Sequence, residues 1–195
     1  MGCGWTAPVA FARIQAVEAV NGGIASGPLS GIPFWEARLN AGERITAVGG
    51  SDNHDATLDP ARAPAVGRPT TVVHATALSQ DAILAAIRAG HVFVDVEGTR
   101  DRRLEVTFEA GGRIVEMGDR APAPRDQGEL KIRVVGAAGG AVRLAGPFAP
   151  TIEGGKALRE DETLSVPIPP HAHGWLRVDI VGPGGIFSQA EFDAD

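Results

Sequence analysis

From residue 104 onward the chain is a series of short runs that alternate apolar and polar residues and stop at glycine. Leu104-Glu105-Val106-Thr107-Phe108 meets Gly111-Gly112, and Leu130-Lys131-Ile132-Arg133-Val134-Val135 meets Gly139-Gly140. Ala141-Val142-Arg143-Leu144 follows directly, and Trp175 to Val181 alternates before stopping at Gly182-Pro183-Gly184-Gly185. A period of two sends successive side chains to opposite faces of a strand, and paired glycines mark the turns between strands. Leu164-Ser165-Val166-Pro167-Ile168 reads as an edge strand, because proline cannot donate to a ladder. No helical period is present in this half. The pattern predicts a small β-sandwich of immunoglobulin-like type over residues 101–195.

The first half has a different style. Arg13 to Val20 is β-leaning and ends at the turn signal Asn21-Gly22-Gly23. Pro33 to Gly42 reads as a helix, with proline in its first turn and glycine just past its end. Arg44-Ile45-Thr46-Ala47-Val48 predicts a strand running into Gly49-Gly50-Ser51-Asp52-Asn53-His54-Asp55, and Thr70 to His74 a further strand. Ser79 is an N-cap for a helix over Gln80–Ala89 with Gly90 as its stop, and His91 to Val96 closes the half as a strand. Strands and helices in this order suggest part of an α/β layer or barrel over residues 1–100. A closed barrel needs roughly 200 residues or more. The boundary between the two styles falls in the charged stretch Gly98 to Arg103.

Composition narrows the function classes. Hydrophobic residues make up 44% of the 195, enough to bury a core. The net charge of −6 argues against a protein that grips nucleic acid or anionic membrane through bulk charge. No apolar stretch is long enough to span a bilayer, and the N-terminus lacks the pattern of a signal peptide. A soluble protein is expected, with its compartment left open. The single cysteine, Cys3, excludes an internal disulfide framework and reads as a free thiol.

The chemistry is concentrated at Gly49 to Asp55. Asp52 and His54 stand two apart at the end of a predicted strand. If the chain is still extended there, a carboxylate and an imidazole converge on one point. Those are suitable ligands for zinc, manganese or iron. Gly49 and Gly50 remove side chains where the backbone passes close to a ligand. The alternative is a polar turn in which Asp52 caps the backbone.

The stretch Ile45-Thr46-Ala47-Val48-Gly49-Gly50-Ser51-Asp52-Asn53-His54 resembles the last metal-binding motif of the PHP (polymerase and histidinol phosphatase) superfamily of metallohydrolases. Val17-Glu18-Ala19-Val20-Asn21-Gly22, the helix from Phe34 to Gly42, Gly67-Arg68-Pro69-Thr70-Thr71-Val72 and Ile83 to Phe93 resemble its flanking segments. The similarity is to the CehA/McbA-like branch, whose members often carry a β-sandwich behind the catalytic domain; Gly174-Trp175-Leu176-Arg177-Val178 resembles a late strand of that module. The resemblance implies that residues 1–100 are the C-terminal part of a distorted (βα) barrel and that Asp52 and His54 are catalytic and metal-binding. It also implies metal-dependent hydrolysis of phosphate or carboxylic or carbamic ester bonds in a small-molecule substrate. The family's HxH pair and its other His, Asp and Glu ligands have no counterpart in this sequence. Divalent metal is therefore expected to be weakly held, and the isolated chain to be inactive.

Around this pair, Glu18, Asn21 and Ser51 are candidates for supporting or substrate-binding roles, with a plain turn role as the alternative for Asn21. Arg68 is placed to meet an anionic substrate group, or else is a solvated loop arginine. His74 is expected to be a partly buried strand histidine, and His91 to complement a helix C-terminus. His171-Ala172-His173 is expected to be a loop feature. Trp5, Trp35 and Trp175 read as packing residues. Three functions stay open: a metallohydrolase or its C-terminal part, a non-catalytic binding protein working through the sandwich, and a subunit whose site another chain completes. Homodimerisation or pairing with a missing N-terminal portion would cover an exposed strand edge.

Overall fold

The computed structural model describes residues 11, 13–57, 59, 65–152, 157–182 and 186–192. Cys3, Trp5 and the Pro183-Gly184-Gly185 turn lie outside them. Eleven strands and two helices are formed among the described residues. The strands are β1 (Ala16–Asn21), β2 (Thr46–Gly50), β3 (Thr70–Val73), β4 (Val92–Asp95), β5 (Arg103–Ala110), β6 (Arg113–Glu116), β7 (Gly128–Val135), β8 (Ala141–Ala145), β9 (Asp161–Ile168), β10 (Gly174–Val181) and β11 (Ile186–Phe192). The helices are α1 (Ile32–Asn40), between β1 and β2, and α2 (Gln80–Ala89), between β3 and β4.

Three sheets result. β1 and β2 form a parallel pair, β3-β4-β11-β10-β8 a five-stranded sheet, and β6-β5-β7-β9 a four-stranded sheet. Every pairing in the two larger sheets is antiparallel. They face each other across a shared core, but the sandwich is not confined to residues 101–195 as expected, because β3 and β4 of the first half belong to one of its sheets. Leu104, Val106 and Phe108 of β5, Leu130, Ile132 and Val134 of β7, and Leu176, Val178 and Ile180 of β10 share one core. Their spacing of two is the alternation seen in the sequence. β9, which carries Pro167, is an edge strand.

The barrel portion expected for residues 1–100 is not formed; the fold is β-rich. Among the described strands only β1 and β2 are parallel, joined through α1. β3 and β4 run antiparallel despite the helix between them, and β4 pairs on its other side with β11. A (βα) barrel needs successive parallel strands, and here the third and fourth strands are built into the sandwich instead. β4 explains why. Val92, Phe93, Val94 and Asp95 are all buried, with Phe93 in the sandwich core and Val94 in a second core that holds Val20, Trp35, Leu39, Ala47 and Trp175. The five-stranded sheet is thus covered on both faces, by the sandwich partner on one and by the β1-α1-β2 unit on the other. This sheet carries strands from both sides of the expected boundary at Gly98 to Arg103.

β10 shows the same two-sidedness. Leu176, Val178 and Ile180 face the sandwich, whereas Trp175 packs toward α1, its ring 6.4 Å from that of Trp35. Trp35 Nε1–H donates to the Ile45 carbonyl at 2.8 Å, and Trp175 Nε1–H to Asn40 Oδ1 at 2.8 Å. Arg177 and Asp179 are on the face of Trp175 and are buried. The Arg177 guanidinium grips Asp179 at 2.7 and 2.9 Å and also bonds Glu36 of α1. Both helices end as their sequences predict. Ser79 Oγ accepts from the Ala82 N–H at 3.3 Å, and Gly90 takes a left-handed φ of 82°.

Candidate functional site

The parallel unit sets the geometry of the Gly49–Asp55 segment. Its register pairs Glu18 with Val48, Val20 with Gly49 and Asn21 with Gly50, so both strands end side by side. The Gly22 N–H donates to the Gly50 carbonyl at 2.8 Å and closes the pair. Side chains beyond these ends share the carboxyl edge of parallel strands, where sites in α/β units are commonly built.

Glycine is required twice at this end. A Cβ on Gly49 would lie 2.6 Å from Val94 Cγ1 and 3.2 Å from Pro69 Cγ, so only glycine lets β2 settle against β4. A Cβ on Gly50 would lie 2.5 Å from Glu18 Oε1. The Glu18 carboxylate therefore lies across the end of β2, where its Oε2 accepts from Asn21 Nδ2–H at 2.9 Å. Thr71 of β3 completes the support. Its hydroxyl accepts from the Gly49 N–H and donates to the Gly49 carbonyl, both at 2.9 Å. This contact joins the parallel pair to the five-stranded sheet, and nothing in the spacing of the sequence signals it.

Beyond Gly50 the chain turns. Asp52 adopts φ 51°, a left-handed conformation that aspartate tolerates better than most residues. The turn brings Asp52 Oδ1 to 3.1 Å from His54 Nε2. Both side chains are largely exposed, at 53% and 86%. The two groups do converge, through a turn and not through continued extension of β2. Ser51 Oγ accepts from the Asn53 N–H at 3.4 Å and so serves the turn itself. Asp55 accepts from the Thr57 hydroxyl at 2.6 Å and the Thr57 N–H at 2.9 Å, and these bonds hold its carboxyl below the usual range. Arg68 is exposed, and its stem lies beside Gly98, where a Cβ would come within 3.1 Å of Arg68 Cγ.

The site residues thus fall into two bonded pairs, Asp52 with His54 and Glu18 with Asn21, on neighbouring ends of parallel strands. The donor set of Asp52 and His54 suits a borderline divalent metal: one imidazole nitrogen and one carboxylate group. Among the described residues no group of three or more His, Cys, Asp and Glu side chains is gathered closely enough to hold an ion. A metal held by Asp52 and His54 would take its remaining ligands from elsewhere.

Of the other histidines, His74 and His91 depart from expectation. His74 is exposed, not partly buried, with Nδ1 3.3 Å from Glu116 Oε2. His91 Nε2 meets Asp119 Oδ1 at 2.9 Å. The carbonyls ending α2 are taken instead by Arg44, which donates to Ala89 O at 2.8 Å, and by the Thr46 hydroxyl, which donates to Ile87 O at 2.7 Å. Burial opposes ionisation of Asp119, but hydrogen bonds from His91 and the Glu116 N–H, with the charges of His91 and Arg44, outweigh it and hold its carboxyl low. His171 and His173 are exposed loop residues. No helix among the described residues is long and apolar enough to cross a membrane. No family model, curated protein or solved structure matches the chain.

Proposed function

We propose that the chain carries one side of a metal-dependent hydrolase centre for phosphate or carboxylic or carbamic ester bonds, with Asp52 and His54 as its ligands. The observation that carries this reading is the 3.1 Å approach of Asp52 Oδ1 and His54 Nε2 at the carboxyl ends of two parallel strands. The resemblance of Gly49 to His54 to a metallohydrolase motif supports it. A bound divalent ion would supply Lewis-acid polarisation of the ester oxygen and of a water molecule. The chain's own residues do the positioning. The left-handed turn at Asp52 presents both ligands outward, and Gly50 admits the Glu18 carboxylate beside them. Asn21 fixes that carboxylate by donating to it. Arg68, exposed after the loop, is available to an anionic substrate group. Two ligands are fewer than the three protein ligands of ordinary catalytic zinc sites. Completion by another chain or by a further segment is therefore part of the proposal.

Calorimetric titration with zinc and manganese, with metal content read by elemental mass spectrometry, tests it. One weakly held ion per chain is expected, and none in the Asp52→Ala plus His54→Ala variant. No ion at millimolar metal, or binding that the double variant leaves unchanged, overturns the reading and leaves a non-catalytic binding protein.

A further inference from the structure

Among the described residues β5 is only partly paired on one side. β5 pairs with β7 from Arg103 to Glu109 but with β6 only from Thr107 to Ala110. The Met117 N–H donates to the Val106 carbonyl at 2.9 Å. In an antiparallel ladder the main-chain groups of alternate residues face the same neighbour. Leu104, two residues before Val106, therefore turns its N–H and C=O to this same side. The chain does not continue there. A turn closes from the Asp119 N–H to the Glu116 carbonyl at 3.0 Å, and Gly118 packs against Gly90. No described strand is paired with β5 opposite Arg103 to Glu105 on that side.

A cleft of about 440 Å³ follows this open edge. Five consecutive residues, 103–107, border it. Side chains along a strand alternate between faces, so five in a row can line one cleft only if it runs along the strand's edge. The opposing wall is the inner face of the five-stranded sheet, with Val72 and Phe93 as an apolar floor, and with His74 and Glu116 paired at the rim.

We propose that this groove takes an extended peptide segment of a partner protein by strand addition along β5. The added strand would place aliphatic side chains over Val72 and Phe93 and an acidic side chain beside Arg103. Three features select this occupant. The open N–H and C=O of Leu104 call for a main chain, which a purely apolar small molecule does not supply. The floor suits alternate aliphatic residues. Arg103 carries an available charge at the edge: Glu105 is bonded by Arg133 at 3.2 Å, an arginine shared with Asp161, and Glu116 lies beside His74, whereas Arg103 makes no ion pair among the described residues. Natural sheets usually cover or charge both sides of such an edge.

The test is fluorescence anisotropy of the whole chain with a labelled six-residue probe that alternates valine and glutamate. Binding on the order of 10–100 μM is expected. N-methylation of one set of alternate amides should weaken it at least tenfold, while methylation of the other set leaves it unchanged. A probe alternating valine and lysine should bind at least tenfold more weakly, and Arg103→Glu should reverse that preference. His74→Trp, at an exposed rim position, fills the groove and should abolish binding while the circular dichroism stays native. Three results overturn the proposal. One is no binding of the acidic probe to the folded chain. Another is equal binding of both methylated probes, which would make the cleft an ordinary apolar pocket. The last is a dimer in sedimentation equilibrium that His74→Trp dissolves, which would make the occupant a second copy of this chain.

Discussion

Arg177→Met is the substitution whose cost the structure specifies most closely. The Arg177 guanidinium is 7% exposed and its partner carboxylate, Asp179, is 2% exposed. Burial works against the Arg177 charge, yet the hydrogen bonds and charge of Asp179, with Glu36 behind them, hold the guanidinium more firmly protonated than an ordinary arginine. Methionine preserves much of the stem and removes both bonds to Asp179. Asp179 then keeps only Arg143, at 2.9 Å, whose side chain is 59% exposed and so partly screened. Glu36, at 32% exposure, can turn to water and adds little. The penalty is therefore mainly that of one buried carboxylate stripped of its main partner, for which breaking a buried pair costs about 3–5 kcal/mol. Arg143 offsets part of it, which leaves about 3 kcal/mol, or a fall in Tm of about 6–12 °C for a chain of this size.

Urea unfolding followed by far-ultraviolet circular dichroism measures this directly. The discriminating measurement is the double variant Arg177→Met plus Asp179→Leu. It removes the stranded charge and fills the space with apolar atoms, so its stability should return to within about 1 kcal/mol of the parent. If the single variant costs less than about 1 kcal/mol, the pair is not desolvated as the structure has it. If the double variant is as unstable as the single one, lost packing and not an unpaired charge sets the cost, and the reasoning fails.

Gly49→Ala places a Cβ 2.6 Å from Val94 Cγ1 in a buried contact and should cost about 1–3 kcal/mol in the same assay; Gly23→Ala, where no atom lies within 4 Å, should stay within about 0.5 kcal/mol. Asp119 has its carboxyl held low, so its contribution is present above its ordinary value near 3.8 and is lost as pH falls through the folded-state value. Asp119→Asn should flatten the acid limb of the stability profile below about pH 4, and an unchanged limb would remove His91 and Arg44 as its support. Residues 101–195 expressed alone lack β4, the partner of β11, and uncover Trp175, Arg177 and Asp179. That segment should show no cooperative thermal transition, and a sharp one would mean that the sandwich stands without the first half.

Where local chemistry decides the conformation, the sequence was sufficient. Ser79 and Gly90 bracket α2, and Pro33 with Gly42 brackets α1 to within two residues, because capping and left-handed glycine act within one turn. The alternation of β5 and β7 was legible because one face of each meets the sandwich core. The partners of β3 and β4 were not legible. A short apolar run such as Val92-Phe93-Val94 is what any strand buried on both faces shows, in a parallel barrel or within an antiparallel sheet. Only the pairing of Phe93 to Asp95 with Ile186 to Ser188 decides between them, and that contact joins segments about ninety residues apart in sequence. At the site, Asp52 and His54 converge as their spacing suggested but by a different route. Extension ends at Gly50, and the left-handed turn at Asp52 closes the 3.1 Å approach. Thr71 carries no signal at all, since a threonine that braces a distant glycine looks in sequence like any β-branched strand residue.

β10 shows why alternation alone misjudges the second face of a sheet. In Trp175-Leu176-Arg177-Val178-Asp179-Ile180-Val181 the even positions are apolar, and Arg177 and Asp179 on the odd positions read as a solvated face. Trp175 contradicts that reading, because a large aromatic ring on the same face needs cover. The cover is α1, which brings Trp35 against Trp175 and Glu36 to Arg177. Arginine and aspartate two apart on a strand can bond each other directly, as the bonds at 2.7 and 2.9 Å show, with Glu36 and Arg143 adding to the pair from α1 and β8. A pair of this kind lets a third layer close over a charged face without leaving a buried charge unpaired. The same closure sets β1-α1-β2 against the five-stranded sheet and fixes Gly49 against Val94. The position of the Asp52–His54 turn therefore depends on an ion pair in a strand more than a hundred residues further along the chain.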